Sequence, residues 1–120
     1  MDLDELTEHV VICGWNRSGP TIIRELFGRG TPKNRAVVLV TECDKPPPDF
    51  YISGVRPEHL YHHPGDWTRV PVLEALNIAE ASVAILLTDA VTDRSDQDKD
   101  ARTVLAALTI ENMSPEIYTI

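Results

Sequence analysis

The turn Gly14-Trp15-Asn16-Arg17-Ser18-Gly19 is the segment of this sequence best suited to hold a ligand. It lies between an apolar, β-branched run, His9-Val10-Val11-Ile12-Cys13, and the segment Pro20 to Phe27, which carries Ile22, Ile23, Leu26 and Phe27 at helical spacing. In a strand–turn–helix of this kind the first glycine permits a tight turn and the last lets helix and strand approach closely. The middle one lets backbone amides touch a pyrophosphate at the positive end of the helix. Here the middle position is Asn16. Asparagine tolerates left-handed backbone angles, but its side chain takes space that phosphates would need. Arg17 offers a cation for phosphate where the backbone cannot. The alternative is a turn that is structural only.

Carboxylates that could complete such a site follow at the expected places. Glu42 ends a second apolar run, Ala36-Val37-Val38-Leu39-Val40, 23 residues beyond Gly19. That is where an acidic side chain grips ribose hydroxyls in a dinucleotide fold; the alternative is a solvated strand end. Gly65-Asp66 follows a third strand, and Asp66 either bonds a base or caps a turn. Trp15 and Trp67 either shelter an adenine or pack in the core. Thr88-Asp89 closes a fourth strand and opens a stretch with five aspartates, at 89, 93, 96, 98 and 100. These could offer oxygen ligands to a hard cation such as Ca²⁺, with Asp89 the best placed, but the spacing is not that of an EF-hand. The alternative is a solvated loop favouring a helix N-terminus. The histidines at 9, 59, 62 and 63 do not make a metal site by spacing, since His62 and His63 point to opposite faces of a strand. No nucleophile with a nearby base emerges, and the chain is expected not to be an enzyme.

The elements that position these residues alternate. The predicted strands are His9 to Cys13, Ala36 to Val40, Glu58 to His62, Ser82 to Leu87, and Glu116 to Ile120. The first helix starts near Pro20 and ends at Gly28 and Gly30. Thr68 is placed to cap a second helix carrying Val72, Leu73 and Leu76, with Pro71 in its first turn. Ser95 or Asp96 caps a long third helix whose stripe is Ala101, Val104, Leu105 and Leu108, stopped by Ser114-Pro115. Three successive prolines, Pro46-Pro47-Pro48, forbid both helix and paired strand in the stretch from Lys45 to Pro57. Alternation of strand and helix requires parallel strands with right-handed crossovers. The expected fold is α/β: a doubly wound, Rossmann-like parallel sheet of order 3-2-1-4-5, ending before a sixth strand, as in a fragment of a longer chain.

Bulk properties agree. With 120 residues the sequence allows one domain, residues 1–120. Its formal net charge of -8 repels phosphate backbones and argues against nucleic acid as a partner. No stretch approaches the ~18–20 apolar residues of a membrane span, and the acidic start lacks a signal-peptide pattern. Two cysteines, Cys13 and Cys43, are too few for a disulfide framework. A cytoplasmic location is the expectation.

Several segments together resemble one family. His9-Val10-Val11-Ile12-Cys13-Gly14-Trp15 resembles the opening strand of RCK (TrkA-N) domains, which follow the pore helices of prokaryotic potassium channels. Gly65-Asp66-Trp67-Thr68 and Leu73-Glu74-Ala75-Leu76-Asn77-Ile78 are similar to the family's passage from third to fourth strand. Asp98 to Leu105, running on to Asn112-Met113-Ser114-Pro115-Glu116-Ile117-Tyr118, looks like its long helix and fifth strand. No single motif is specific, but their order and spacing are. The resemblance implies a cytosolic domain that dimerises, assembles in channels into a gating ring, and serves a potassium channel or transporter subunit in the inner membrane. It implies ligands at the glycine turn: NAD or an adenine nucleotide, or Ca²⁺. By that analogy Arg17 meets phosphate, Glu42 the ribose and Asp66 the base, while Asp89 lies near a calcium-binding aspartate of some members. Asn16 departs from the nucleotide-binding pattern and shifts the expectation toward an ion or an empty cleft. Two functions follow from different classes: a ligand-sensing regulatory domain, or the cofactor half of an NAD-dependent oxidoreductase, which would usually keep the second glycine.

Overall fold

Valine and isoleucine crowd the first two strands because both faces of the sheet are covered. In the computed structural model, which describes residues 9–26, 36–51, 59–87, 95–114 and 117–119, β1 (Val10–Cys13) and β2 (Val37–Thr41) are buried at every position. They pair in parallel with β3 (Leu60–Pro64), β4 (Val83–Leu86) and β5 (Tyr118–Thr119) in the order β3-β2-β1-β4-β5. Between them lie α1 (Gly19–Leu26), α2 (Val70–Ala75), a single 3₁₀ turn (Ile78–Glu80) and α3 (Asp96–Met113). The doubly wound parallel sheet and its strand order are those expected from the sequence.

Period-2 alternation divides the sheet into two cores. Val10, Ile12, Val37, Leu39 and Ile85 face Ile23 of α1 together with Trp15 and Phe50. Val11, Cys13, Val38, Val40 and Ala84 face Trp67, Leu73, Leu76 and Ile78, with Ala106 and Ile110 of α3. Burial alone pushes the Cys13 thiol up to about 12, so it stays protonated within this second core. His9 is fully buried at the foot of β1, and its Nε2 lies 2.8 Å from the Leu76 carbonyl, tying the end of α2 to the sheet.

Two local expectations are corrected. The third strand starts at Leu60 and reaches Pro64, because its register runs from Val37↔Leu60 to Thr41↔Pro64; Glu58 lies outside the described residues. Thr68 does not cap α2. Arg69 occupies that position without a side-chain bond, while the Thr68 hydroxyl donates to Asp66.

The largest correction concerns α3. Ser95 caps it as expected, its hydroxyl accepting from the Asp98 amide at 3.1 Å. But the stripe drawn from the sequence faces outward: Val104, Leu105 and Leu108 are 59%, 52% and 57% exposed. The face against the sheet is Ala106 and Ile110, with Met113 and the half-buried Arg102 and Thr103. Apolar residues on both sides of the helix leave its rotation undetermined by periodicity. The small Ala106 and the partners of Arg102 decide it.

The proline-rich stretch also holds more order than its composition suggests. Residues 45–51 form turns rather than helix or strand, yet Phe50 is fully buried. Its ring meets Trp15 edge to face at 5.7 Å, a favoured aromatic geometry.

Candidate functional site

All the strands run the same way, so the segments following β1, β2 and β3 emerge on one edge, where doubly wound sheets bind ligands. Gly14 leaves β1 with φ 83, a left-handed angle that favours glycine. Its amide donates to the Val40 carbonyl at 3.0 Å, holding the turn against β2.

Asn16 then stitches the turn from within. Its Oδ1 accepts from the Ser18 amide at 2.9 Å, and its carbonyl accepts from the Gly19 amide at 3.0 Å. The Ser18 amide, which a glycine at this position would leave for a phosphate, is thus taken by the Asn16 side chain, while the Gly19 amide is engaged by the backbone carbonyl that any residue here would offer. Arg17 and Ser18 are the exposed members of the turn.

Gly19 is required by close approach: a Cβ there would come within 2.5 Å of the Trp15 ring. Trp15 itself is 4% exposed, and its indole N–H donates to Asp49 at 2.9 Å. Of the two roles open to Trp15 in the sequence, packing is the one seen here. Trp67, 1% exposed, is likewise in the core.

On the far side of the edge, Asp66 folds its own turn. Its Oδ1 accepts from the Thr68 amide at 3.0 Å and the Thr68 hydroxyl at 2.6 Å. Arg69 approaches Oδ2 at 3.5 Å, with its side chain largely in solvent. Gly65 before it fits beneath Val72, which a Cβ would approach to 3.0 Å.

Arg102 of α3 joins the two carboxylates. Its Nη2 donates to Glu42 Oε1 at 2.6 Å and to Asp66 Oδ1 at 2.8 Å, so both acids converge on one nitrogen. The guanidinium also lies over the Trp67 ring, 5.0 Å from its centre, a cation–π contact. The three charged side chains are 15–29% exposed, shielded enough for the ion pairs to resist screening. Burial works to raise the Asp66 pKa. The Thr68 hydroxyl and amide, then Arg102, outweigh it and hold the carboxyl at about 2. Among the described residues, Arg102 Nε and Trp67 Nε1 are buried without a hydrogen-bond partner.

The structure therefore joins Glu42 and Asp66 through Arg102, on the sheet edge from which the glycine turn also leaves. Thr88 and Asp89, the residues proposed for the fourth strand's end and for a cation, lie outside the described residues, as does much of the aspartate-rich segment. Asp98 and Asp100 are exposed on the first turns of α3. No group of three or more His, Cys, Asp or Glu that could hold a metal occurs among the described residues. Arg102 was missed from the sequence. It lies 60 residues from Glu42 and 36 from Asp66, and its neighbours Lys99 and Asp100 make it look like part of a solvated charged face.

Among the described residues no helix is long and apolar enough to cross a membrane. No curated protein sequence matches the chain. Solved structures do. The Kef CTD of Shewanella denitrificans in its AMP-bound form superposes with a TM-score of 0.64 at 17% identity, over 92% of this chain and 56% of that one. GsuK bound to ADP gives 0.62 at 23% identity, over 92% of this chain and 25% of that one. The TrkA-N domain of the inner membrane protein ybaL from Escherichia coli gives 0.61 at 13% identity, over 96% and 72%. At these identities the likeness shows the fold, and the chain spans about half of the Kef structure and a quarter of GsuK. The sequence model described as the calcium-activated potassium channel slowpoke-like RCK domain matches residues 5–120. That match over nearly the whole length, together with the parallel sheet, makes the chain a member of the slowpoke-like RCK domain family.

Proposed function

We propose that this domain senses an adenine nucleotide at the edge formed by Gly14–Gly19, Glu42 and Asp66, and that occupancy regulates a potassium channel or transporter. The observation that carries the reading is the convergence of Glu42 and Asp66 on Arg102, at the sheet edge from which the glycine turn also leaves. Glu42 stands past the end of β2, where ribose hydroxyls are held in dinucleotide folds. In this reading Asp66, fixed by Thr68, takes the base, and the exposed Arg17 the phosphate. The engaged amides of Ser18 and Gly19 make the phosphate grip depend on Arg17 more than on the backbone. The AMP, ADP and NAD bound in the Kef and GsuK structures support a nucleotide. The tie of both carboxylates to a guanidinium favours it over a divalent cation, since Arg102 already supplies positive charge there.

Regulation then follows from differential affinity: a nucleotide bound more tightly by one arrangement of an oligomeric ring shifts the balance between arrangements. Coupling of this kind is typically ~1–3 kcal/mol per site. Isothermal titration of AMP, ADP, NAD and Ca²⁺ into the chain tests the reading. Nucleotide binding that is lost in Glu42→Ala and weakened in Arg17→Ala is the expected result. Binding of Ca²⁺ alone, or nucleotide binding indifferent to both substitutions, would refute it.

A further inference from the structure

We propose that Arg102 is a built-in competitor for the ribose: it occupies Glu42 when the crevice is empty, and a ligand enters by taking that carboxylate from it. The inference rests on the nucleotide reading above and adds a residue and a direction to it.

The two acids held by Arg102 are not equivalent. Asp66 is locked by its own turn, with Oδ1 accepting from the Thr68 amide and hydroxyl as well as from Arg102, and with Arg69 on Oδ2. Glu42 lies beyond the end of β2 in a bend, on a longer side chain. Its Oε1 meets the same Nη2 at 2.6 Å, the position from which a carboxylate would otherwise accept from vicinal hydroxyls. A ribose and Arg102 therefore seek the same oxygen. When the ribose wins, Arg102 keeps Asp66 and the Trp67 face, so the exchange leaves no buried charge unpaired.

The ligand class follows from the contested group: a carboxylate oxygen accepts, so what displaces Arg102 from Glu42 must donate, as the free vicinal hydroxyls of an unmodified ribose do.

The test compares Kd for ADP and for 2′,3′-dideoxy-ADP by calorimetry in the wild-type chain, Arg102→Gln and Arg102→Lys. The two ligands carry the same charge, so the ratio of their Kd values isolates the hydroxyls from the general change in field. Removing the competitor in Arg102→Gln should raise the preference for ADP about tenfold, the worth of one charge-assisted hydrogen bond. Arg102→Lys keeps a cation over Trp67 without the planar fork and should give a smaller rise, which also serves if the glutamine variant does not fold. A preference unchanged or lowered in the folded variants, with wild type still binding ADP, would overturn the competitor and leave the nucleotide reading intact. Absence of ADP binding in all three chains would remove the nucleotide reading and the competitor together. Binding that appears only in the variants would support a competitor strong enough to close the wild-type crevice.

Discussion

Thr68→Ala should destabilise the domain at neutral pH, and the loss should fade as the pH falls. The Thr68 hydroxyl is the first of the groups that hold the Asp66 carboxylate in its charged form, donating at 2.6 Å, followed by its amide and Arg102. Together they lower the pKa from 3.8 to about 2. At 1.36 kcal/mol per unit this corresponds to roughly 2.5 kcal/mol of folded-state stability. Asp66 is 29% exposed, so that figure is an upper bound. The hydroxyl's share, one hydrogen bond to a charged acceptor, is about 1–1.5 kcal/mol. The sign follows from linkage. A depressed carboxylate pKa stabilises the fold above the unfolded value and loses that contribution as the pH drops through the folded one. The wild type should therefore lose stability between about pH 5 and pH 2 through Asp66, and the variant should lose less. Urea denaturation of both chains at pH 7, 5, 4 and 3 measures the difference, and every other carboxylate common to the two cancels. The difference should narrow steadily below pH 4. A gap independent of pH would refute the assignment of the hydroxyl to the charged form of Asp66.

The packing makes two further predictions. Gly19→Ala should cost about 1–3 kcal/mol by urea unfolding, the usual penalty for overpacking, because the added Cβ meets the Trp15 ring at 2.5 Å and that ring is held by Asp49 and Phe50; stability equal to wild type would contradict the close approach. On α3, Leu108→Gln should change the stability of the isolated chain by no more than about 0.5 kcal/mol, as surface substitutions do, whereas Ala106→Leu should destabilise it by about 1–3 kcal/mol. The reverse order would restore the helix face drawn from the sequence.

The sheet was legible because its evidence is local. The first, second and fourth strands are short apolar runs, the first followed at once by a turn glycine, and alternation with helices dictates parallel order. The turn's asparagine could also be read as a departure, although not that its side chain would satisfy the Ser18 amide. What could not be read was rotation and reach. The sequence of α3 offers Val104, Leu105 and Leu108 on one side and Ala106, Ile110 and Met113 on the other, and only tertiary packing chooses between them. The choice made here turns Arg102 inward, onto two acids far away in sequence. Phe50 was hidden for a related reason: three prolines exclude regular structure but not a buried anchor.

The stitched turn has a kinetic consequence. Because Asn16 ties down Ser18 and Gly19 without help from any guest, the loop keeps one shape whether or not something sits above it. Little ordering then accompanies docking, so the entropic toll on association is small. The same feature limits how far the loop can reshape itself around a visitor. If the edge binds a nucleotide as proposed, a response to occupancy begins with side chains such as Glu42 and Arg102 rather than with the backbone of the stitched turn.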